Sequence, residues 1–207
     1  MVEGLFQDQD IIKKIQTKLP ELFQIAELES SRAGKIGMEV GSIREKILIA
    51  LLVYKIGREN VQTDLPIHEP EADVIVHGNS ISIKTVTGRR IGGVKLIWTV
   101  DHDQAVKFSE EYVPTCDMLL AHINWGGAGA LYLFTKQLQA QLLEQLGREE
   151  YMKLPKPGTN PRGVEITTNA IRILANHPQS LIIPVQWEKI EIVFDPYKRW
   201  LELWKQE

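Results

Sequence analysis

Apolar positions along this chain change period several times, and each change marks an element. Asp10 to Lys18 keeps a helical period and is expected to stop before Pro20, with a second helical segment over Glu21–Ser30. The glycine-bearing stretch "RAGKIGMEVGS" then breaks the pattern. Ser42 to Ile56 is the clearest helix. Ser42 followed three residues later by Glu45 has capping-box spacing, and Gly57 ends the run. Its middle, "ILIALLV", is apolar on every side, which predicts a helix buried against a sheet.

The segment "ADVIVHGNSISIKT", residues 72–85, alternates as a hairpin does. Val94–Val100 reads as a further strand and 104–112 as a helix. Met118–Trp125 and Ala130–Thr135 read as strands joined by the turn "GGAG", and Lys136–Leu146 as a helix ended by Gly147. An irregular loop, "KLPKPGTNPRG", precedes a mixed or helical stretch over 164–177. Strands over 180–187 and 189–194 and a terminal helix over 197–206 complete the pattern. Strands and helices interleave, so the expected fold class is α/β (α+β), with a mixed sheet flanked by helices.

With Gly78 and Asn79 as the central residues of a type II′ turn, Asp73 lies directly opposite Lys84. Directly opposed residues share a face. Asp73, Ile75, His77, Ser80, Ser82 and Lys84 then occupy one face, while Val74, Val76, Ile81 and Ile83 supply the core. Two readings are open on spacing alone. The charges form a cross-strand ion pair worth at most about 1 kcal/mol if exposed, or they are an acid that holds a metal beside a lysine that handles a phosphate or an attacking water.

Composition narrows the setting. A chain of 207 residues with 43% hydrophobic and 25% charged residues is that of a soluble globular domain. Its longest apolar run, Ile47–Tyr54, is too short for a bilayer, and no secretory signal is visible. Cys116 is the sole cysteine, which excludes an internal disulfide and a cysteine-built zinc site and suits a reducing cytoplasm. The net charge of −3 does not announce a nucleic-acid binder, but basic residues gather at Arg89, Arg90 and Lys95 and at Lys153, Lys156 and Arg162. The five histidines show no metal-ligand spacing, and no phosphate loop or nucleophile elbow is present.

An aspartate on one hairpin strand and a lysine on the next, after a buried helix, resemble the PD-(D/E)XK nuclease superfamily over roughly residues 42–135. In size and layout the chain is most similar to a type II restriction endonuclease, and within that group to the ThaI family, whose members cut CG-rich sites. The resemblance implies a restriction-endonuclease-like core in one nuclease domain over 1–207. Its parts would be a helical segment 1–38, a catalytic core 39–146 and a C-terminal part 147–207 with a DNA-recognition loop. It further implies Mg2+ as cofactor, double-stranded DNA as partner and a homodimer. Asp73 takes the place of the metal-binding aspartate, and Lys84 that of the lysine that orients the attacking water.

Two positions depart from the family pattern. Pro70 stands three residues before Asp73 rather than next to it, and Ser82 occupies the place of the second acid. Serine is a poor ligand for a hard divalent cation. Some restriction enzymes with serine there draw the missing carboxylate from a neighbouring helix. Glu45 is the first candidate, although it could instead be the cap partner of Ser42; Glu71 is the second and Glu39 the third. The Ile83 carbonyl would complete the metal's shell, and Ser82 would bond a water or phosphate oxygen. Arg89 and Arg90 are placed to meet the DNA backbone, Lys156, Asn160 and Arg162 to reach base edges, and Met38 to wedge between bases. Two alternatives remain open: a repair or junction-resolving nuclease of the same superfamily, and a non-catalytic DNA-binding relative.

Overall fold

The computed structural model describes residues 2–32, 35–37, 39–65, 71–97, 99, 101–154 and 163–206. Its centre is a six-stranded sheet: β1 (Val61–Gln62), β2 (Val74–Val76), β3 (Asn79–Thr87), β4 (Asp117–Ile123), β5 (Gly127–Phe134) and β6 (Leu181–Trp187). The strands lie side by side in chain order. Every pairing is antiparallel except β3 with β4, which is parallel. A parallel step needs a long crossover, and residues 88–116 supply it, including helix α3 (His102–Glu111).

Two apolar clusters cover the sheet. Ile81 and Ile83 of β3 point into the first, under α1 (Gln9–Ser30) and α2 (Val40–Ile56). Leu120 of β4 and Phe134 of β5 enter the second, with α4 (Lys136–Leu146) and α5 (Thr168–Ala175). A small ribbon of Val94–Lys95, Glu165–Ile166 and Met152–Lys153 borders that second cluster.

Several expectations are corrected. The first helix does not stop before Pro20: α1 runs through it to Ser30. A proline inside a helix costs about 3 kcal/mol. Ile15, Leu19 and Phe23, all buried on one stripe, each repay roughly 1.5–3 kcal/mol, so packing wins. Ser42 is not a cap, because α2 begins at Val40 with Glu39 at its N-cap and no side-chain cap bond. That helix is not buried all round either: Arg44, Leu48 and Leu52 are buried, whereas Tyr54 is 62% exposed.

The strand expected over Val94–Val100 is regular only at Val94–Lys95, with residues 98 and 100 outside the described residues. The turn after β4 is Trp125–Gly126, and Gly127 already begins β5. Residues 189–194 form no strand. The chain leaves the sheet edge after Trp187, no strand among the described residues pairs with this segment, the Gln24 side chain takes both main-chain groups of Ile190, and Val193 stands fully in solvent. The terminal helix Lys198–Trp204 buries nothing, so its tryptophans and leucines are not core.

The hairpin keeps its faces but changes its turn. Val74 pairs with Ile81, Ile75 with Ser80 and Val76 with Asn79. The two loop residues are therefore His77 and Gly78, at φ 47° and 80°, which is a type I′ turn rather than II′. Lys84 is not directly opposite Asp73; it lies beyond the last paired residue of β2. The difference from the expected register is two positions in the pairing sum, so every side chain keeps its face. Because His77 holds a left-handed conformation that asparagine tolerates better, His77→Asn is expected to stabilise the protein by about 0.5–1 kcal/mol in urea unfolding. A loss of stability would contradict this turn.

Candidate active site

Asp73 precedes β2, and its carboxylate is met by three successive residues of β3. Oδ2 accepts from the Ile83 N–H at 2.6 Å, from Ser82 Oγ at 3.3 Å and from Lys84 Nζ at 3.2 Å. Oδ1 takes no hydrogen bond among the described residues. Ser82 is buried, so its hydroxyl orients Asp73 rather than facing solvent. Asp73 and Lys84 line a cleft of about 660 Å3, whose other wall is Gly93–Ile97.

The first turns of α2 form the third side. Gly41, Ser42 and Glu45 share one helical face and all line the cleft. Thus the Ser42–Glu45 spacing reflects a common face and not a capping box. Glu45 makes no hydrogen bond or ion pair among the described residues. Burial raises its carboxyl above the usual glutamate range, the neighbouring charge of Asp73 raises it further, and Lys84 opposes both. Asp73 and Glu45 thus bring two carboxylates to the same half-buried cleft beside Lys84. Oxygen donors of that kind fit a hard divalent cation, which keeps several of its waters and needs only one or two protein carboxylates.

The remaining candidates fall elsewhere. Glu71 is buried and spent: it accepts from Tyr112 Oη at 2.6 Å and from the Thr115 N–H at 2.9 Å, and the Thr115 hydroxyl donates to it as well. It ties the chain before Asp73 to the start of β4 and does not line the cleft. Burial, and then the charge of Glu71, push the Tyr112 hydroxyl far above its normal range. Burial also pushes the Cys116 thiol up to about 12, so it is no nucleophile. Glu39 is exposed at the start of α2, outside the cleft wall. Arg89 and Arg90 are exposed on the bend that follows β3, anchored where Gly88 N–H meets the Ile123 carbonyl and His122 Nε2 meets the Gly88 carbonyl. Met38, Lys156, Asn160 and Arg162 lie outside the described residues.

Sequence reasoning missed Lys95 as part of the cleft. It lines the wall and pairs with Glu165 at 3.0 Å, while Lys153 approaches the same carboxylate at 3.5 Å. Burial pushes Glu165 up, but the two lysines outweigh it and hold the carboxyl below its ordinary value. Gly93 allows that wall to form, since a Cβ there would meet the Ile166 carbonyl oxygen at 2.5 Å.

Residues 5–206 match the family model described as restriction endonuclease ThaI. The chain belongs to the ThaI restriction endonuclease family. A solved structure described as "Restriction endonuclease in complex with substrate DNA" is 50% identical, covers 98% of each chain and superposes with a TM-score of 0.92. No curated protein matches. The mixed sheet flanked by helices matches that of this restriction endonuclease, and family membership makes this chain a DNA endonuclease of a kind that works with a divalent metal ion.

The raised Glu45 carboxyl has a measurable consequence. The fold favours its protonated form, so the stability this supplies is present at low pH and lost as pH rises through the raised value. Glu45→Gln, neutral throughout, should melt above the parent near neutral pH in metal-free buffer, and the gain should shrink as pH falls from the raised value toward 4.5, the ordinary glutamate value, and be absent below it. A lower melting temperature at neutral pH would show that Glu45 is a satisfied structural residue.

Proposed function

We propose that this chain is a Mg2+-dependent type II restriction endonuclease that hydrolyses phosphodiester bonds of double-stranded DNA at a short specific site, as a single nuclease domain. One observation carries the reading: Glu45, a carboxylate with no hydrogen-bond partner among the described residues, lines the same cleft as Asp73 and Lys84. It supplies the acid that Ser82 lacks. Asp73 and Glu45 are the groups that would hold Mg2+, with the Ile83 carbonyl on the strand between Ser82 and Lys84 as a third oxygen. The ion would supply charge neutralisation at the phosphoryl oxygens and acidify water.

The protein's own residues do the rest. Ser82 Oγ and the Ile83 N–H hold Asp73 in one orientation. Lys84 Nζ, a compact ammonium with three donors, exchanges its contact with Asp73 for the attacking water and stabilises its hydroxide form. The water gives up a proton to solvent, its oxygen bonds to phosphorus as the opposite P–O bond breaks, and the leaving oxygen takes a proton from a neighbouring water. Arg89 and Arg90 meet backbone phosphates beside the cut, Lys156, Asn160 and Arg162 read base edges, and Met38, as the family resemblance suggests, wedges between bases. Glu71, engaged with Tyr112 and Thr115, holds the Asp73 strand in place instead of binding metal.

Plasmid DNA with Mg2+ should give discrete fragments whose sequenced ends share one motif. Lys84→Ala and Asp73→Ala should each cut about 10²–10³-fold more slowly. Parental rates in both would sink the assignment. Smears, or cutting of branched or damaged DNA alone, would favour a repair or junction-resolving enzyme, and binding without cutting a non-catalytic relative.

A homodimer completes the proposal, because a two-fold symmetric site calls for two cutting centres. Support comes from the carboxyl end, where Tyr197, Trp200, Leu201, Leu203 and Trp204 leave an apolar surface in solvent. In light scattering the parent should have twice the mass of one chain, and Trp200→Glu with Trp204→Glu should reduce it to one and convert double-strand cuts to nicks. A parent of single-chain mass on DNA would contradict the dimer.

A further inference from the structure

Helix α2 carries two adjacent charged residues with different destinations. Arg44 belongs to the inward stripe of Leu48 and Leu52, while Glu45, a quarter-turn or so further round, faces the cleft. The Arg44 guanidinium is buried. Its Nη2 donates to Glu27 Oε1 of α1 at 2.6 Å, and its Nη1 donates to Thr87 Oγ1 at 3.0 Å. Thr87 is the last residue of β3, three positions after Lys84. One guanidinium therefore joins the helix that carries Glu45 to the strand that carries Lys84.

Glu27 is fixed in turn. Trp125 Nε1 donates to its Oε1 at 2.6 Å and Lys189 Nζ to its Oε2 at 2.8 Å, both from the end of the β5–β6 pair where Gly127 meets Trp187. The Arg44 guanidinium also lies 5.6 Å over the Phe23 ring. Two facts point beyond stability. The first turn of α2 has no side-chain cap, so Arg44 is the first side chain of the helix anchored in the interior among the described residues. A buried ion pair is also a weak stabiliser, since apolar residues of like volume often do as well. What it adds is one fixed geometry, and Glu45, with no hydrogen bond of its own among the described residues, depends on such a constraint.

We propose that Arg44, held by Glu27, is a positioning residue that fixes Glu45 of α2 against Lys84 of β3 across the cleft. It touches neither substrate nor reacting atoms. The inference rests on the roles given to Glu45 and Lys84 under the proposed function.

Two variants test it. Thr87→Val removes only the acceptor on the strand, at an exposed position. E27M with R44M replaces the ion pair by apolar residues, which avoids stranding one buried charge. Single-turnover cleavage, the Mg2+ concentration for half-maximal rate and DNA affinity without divalent ion are measured for each. E27M with R44M should lose about 10- to 100-fold in rate and need about tenfold more Mg2+. Thr87→Val should shift in the same direction by less, and both should bind DNA as the parent does. Ile183→Ala, a core change on β6, serves as the control: it should lower the melting temperature and leave the Mg2+ requirement alone. If Glu45→Gln is inactive but both variants keep the parental rate and Mg2+ requirement, the positioning proposal alone falls. A Mg2+ shift shared by Ile183→Ala would overturn it too. If Glu45→Gln cuts like the parent, the reading of the site falls, and this proposal with it.

Discussion

Three donors from consecutive residues of one strand converge on a single oxygen of Asp73, and the cleft is built outward from that point. A strand sends alternate side chains to opposite faces, so Ser82 and Lys84 can reach Asp73 together only if Ile83 contributes its main-chain N–H between them. The same alternation sends Ile81 and Ile83 into the core, where both are fully buried. Site and core are thus two faces of one strand, and a slip of a single residue would exchange them. Register is held by the apolar cost of that exchange more than by any polar contact.

Two acids flank this point and show how a carboxylate's surroundings sort its role. Glu71 has its oxygens taken by Tyr112 and Thr115, which makes it a strut between the chain entering β2 and the chain joining α3 to β4. Glu45 has no such donors, faces a like charge and is held above its ordinary protonation range. Even a half-buried carboxylate left without partners is costly, and the cost is tolerable where a cation supplies the compensation.

Much of this was legible in the sequence, and the illegible parts share a cause. Alternation alone gave the faces of Val74, Ile81, Ser82, Ile83 and Lys84, because period two survives an error in the turn. The turn itself was misread because histidine carries no signal for the positive φ that His77 adopts, whereas a glycine-first pair does. Pro20 was read as a stop because local cost was visible and the burial of Leu19 and Phe23 was not. Ser42 and Glu45 were ambiguous for a geometric reason: residues three apart on a helix share a face whether they cap it or line a cleft. The Glu27–Arg44–Thr87 connection had no local trace at all, since its members lie on three elements and meet only through tertiary packing.

The central claim is that Glu45 replaces the acid missing at Ser82 and joins Asp73 at the metal. Crystals of the protein with DNA and Mn2+, measured at the manganese absorption edge, address it most directly. The account predicts an anomalous peak coordinated by carboxylate oxygens of both Glu45 and Asp73. A peak bound through Glu71, or one held by Asp73 with Glu45 turned away, would contradict it.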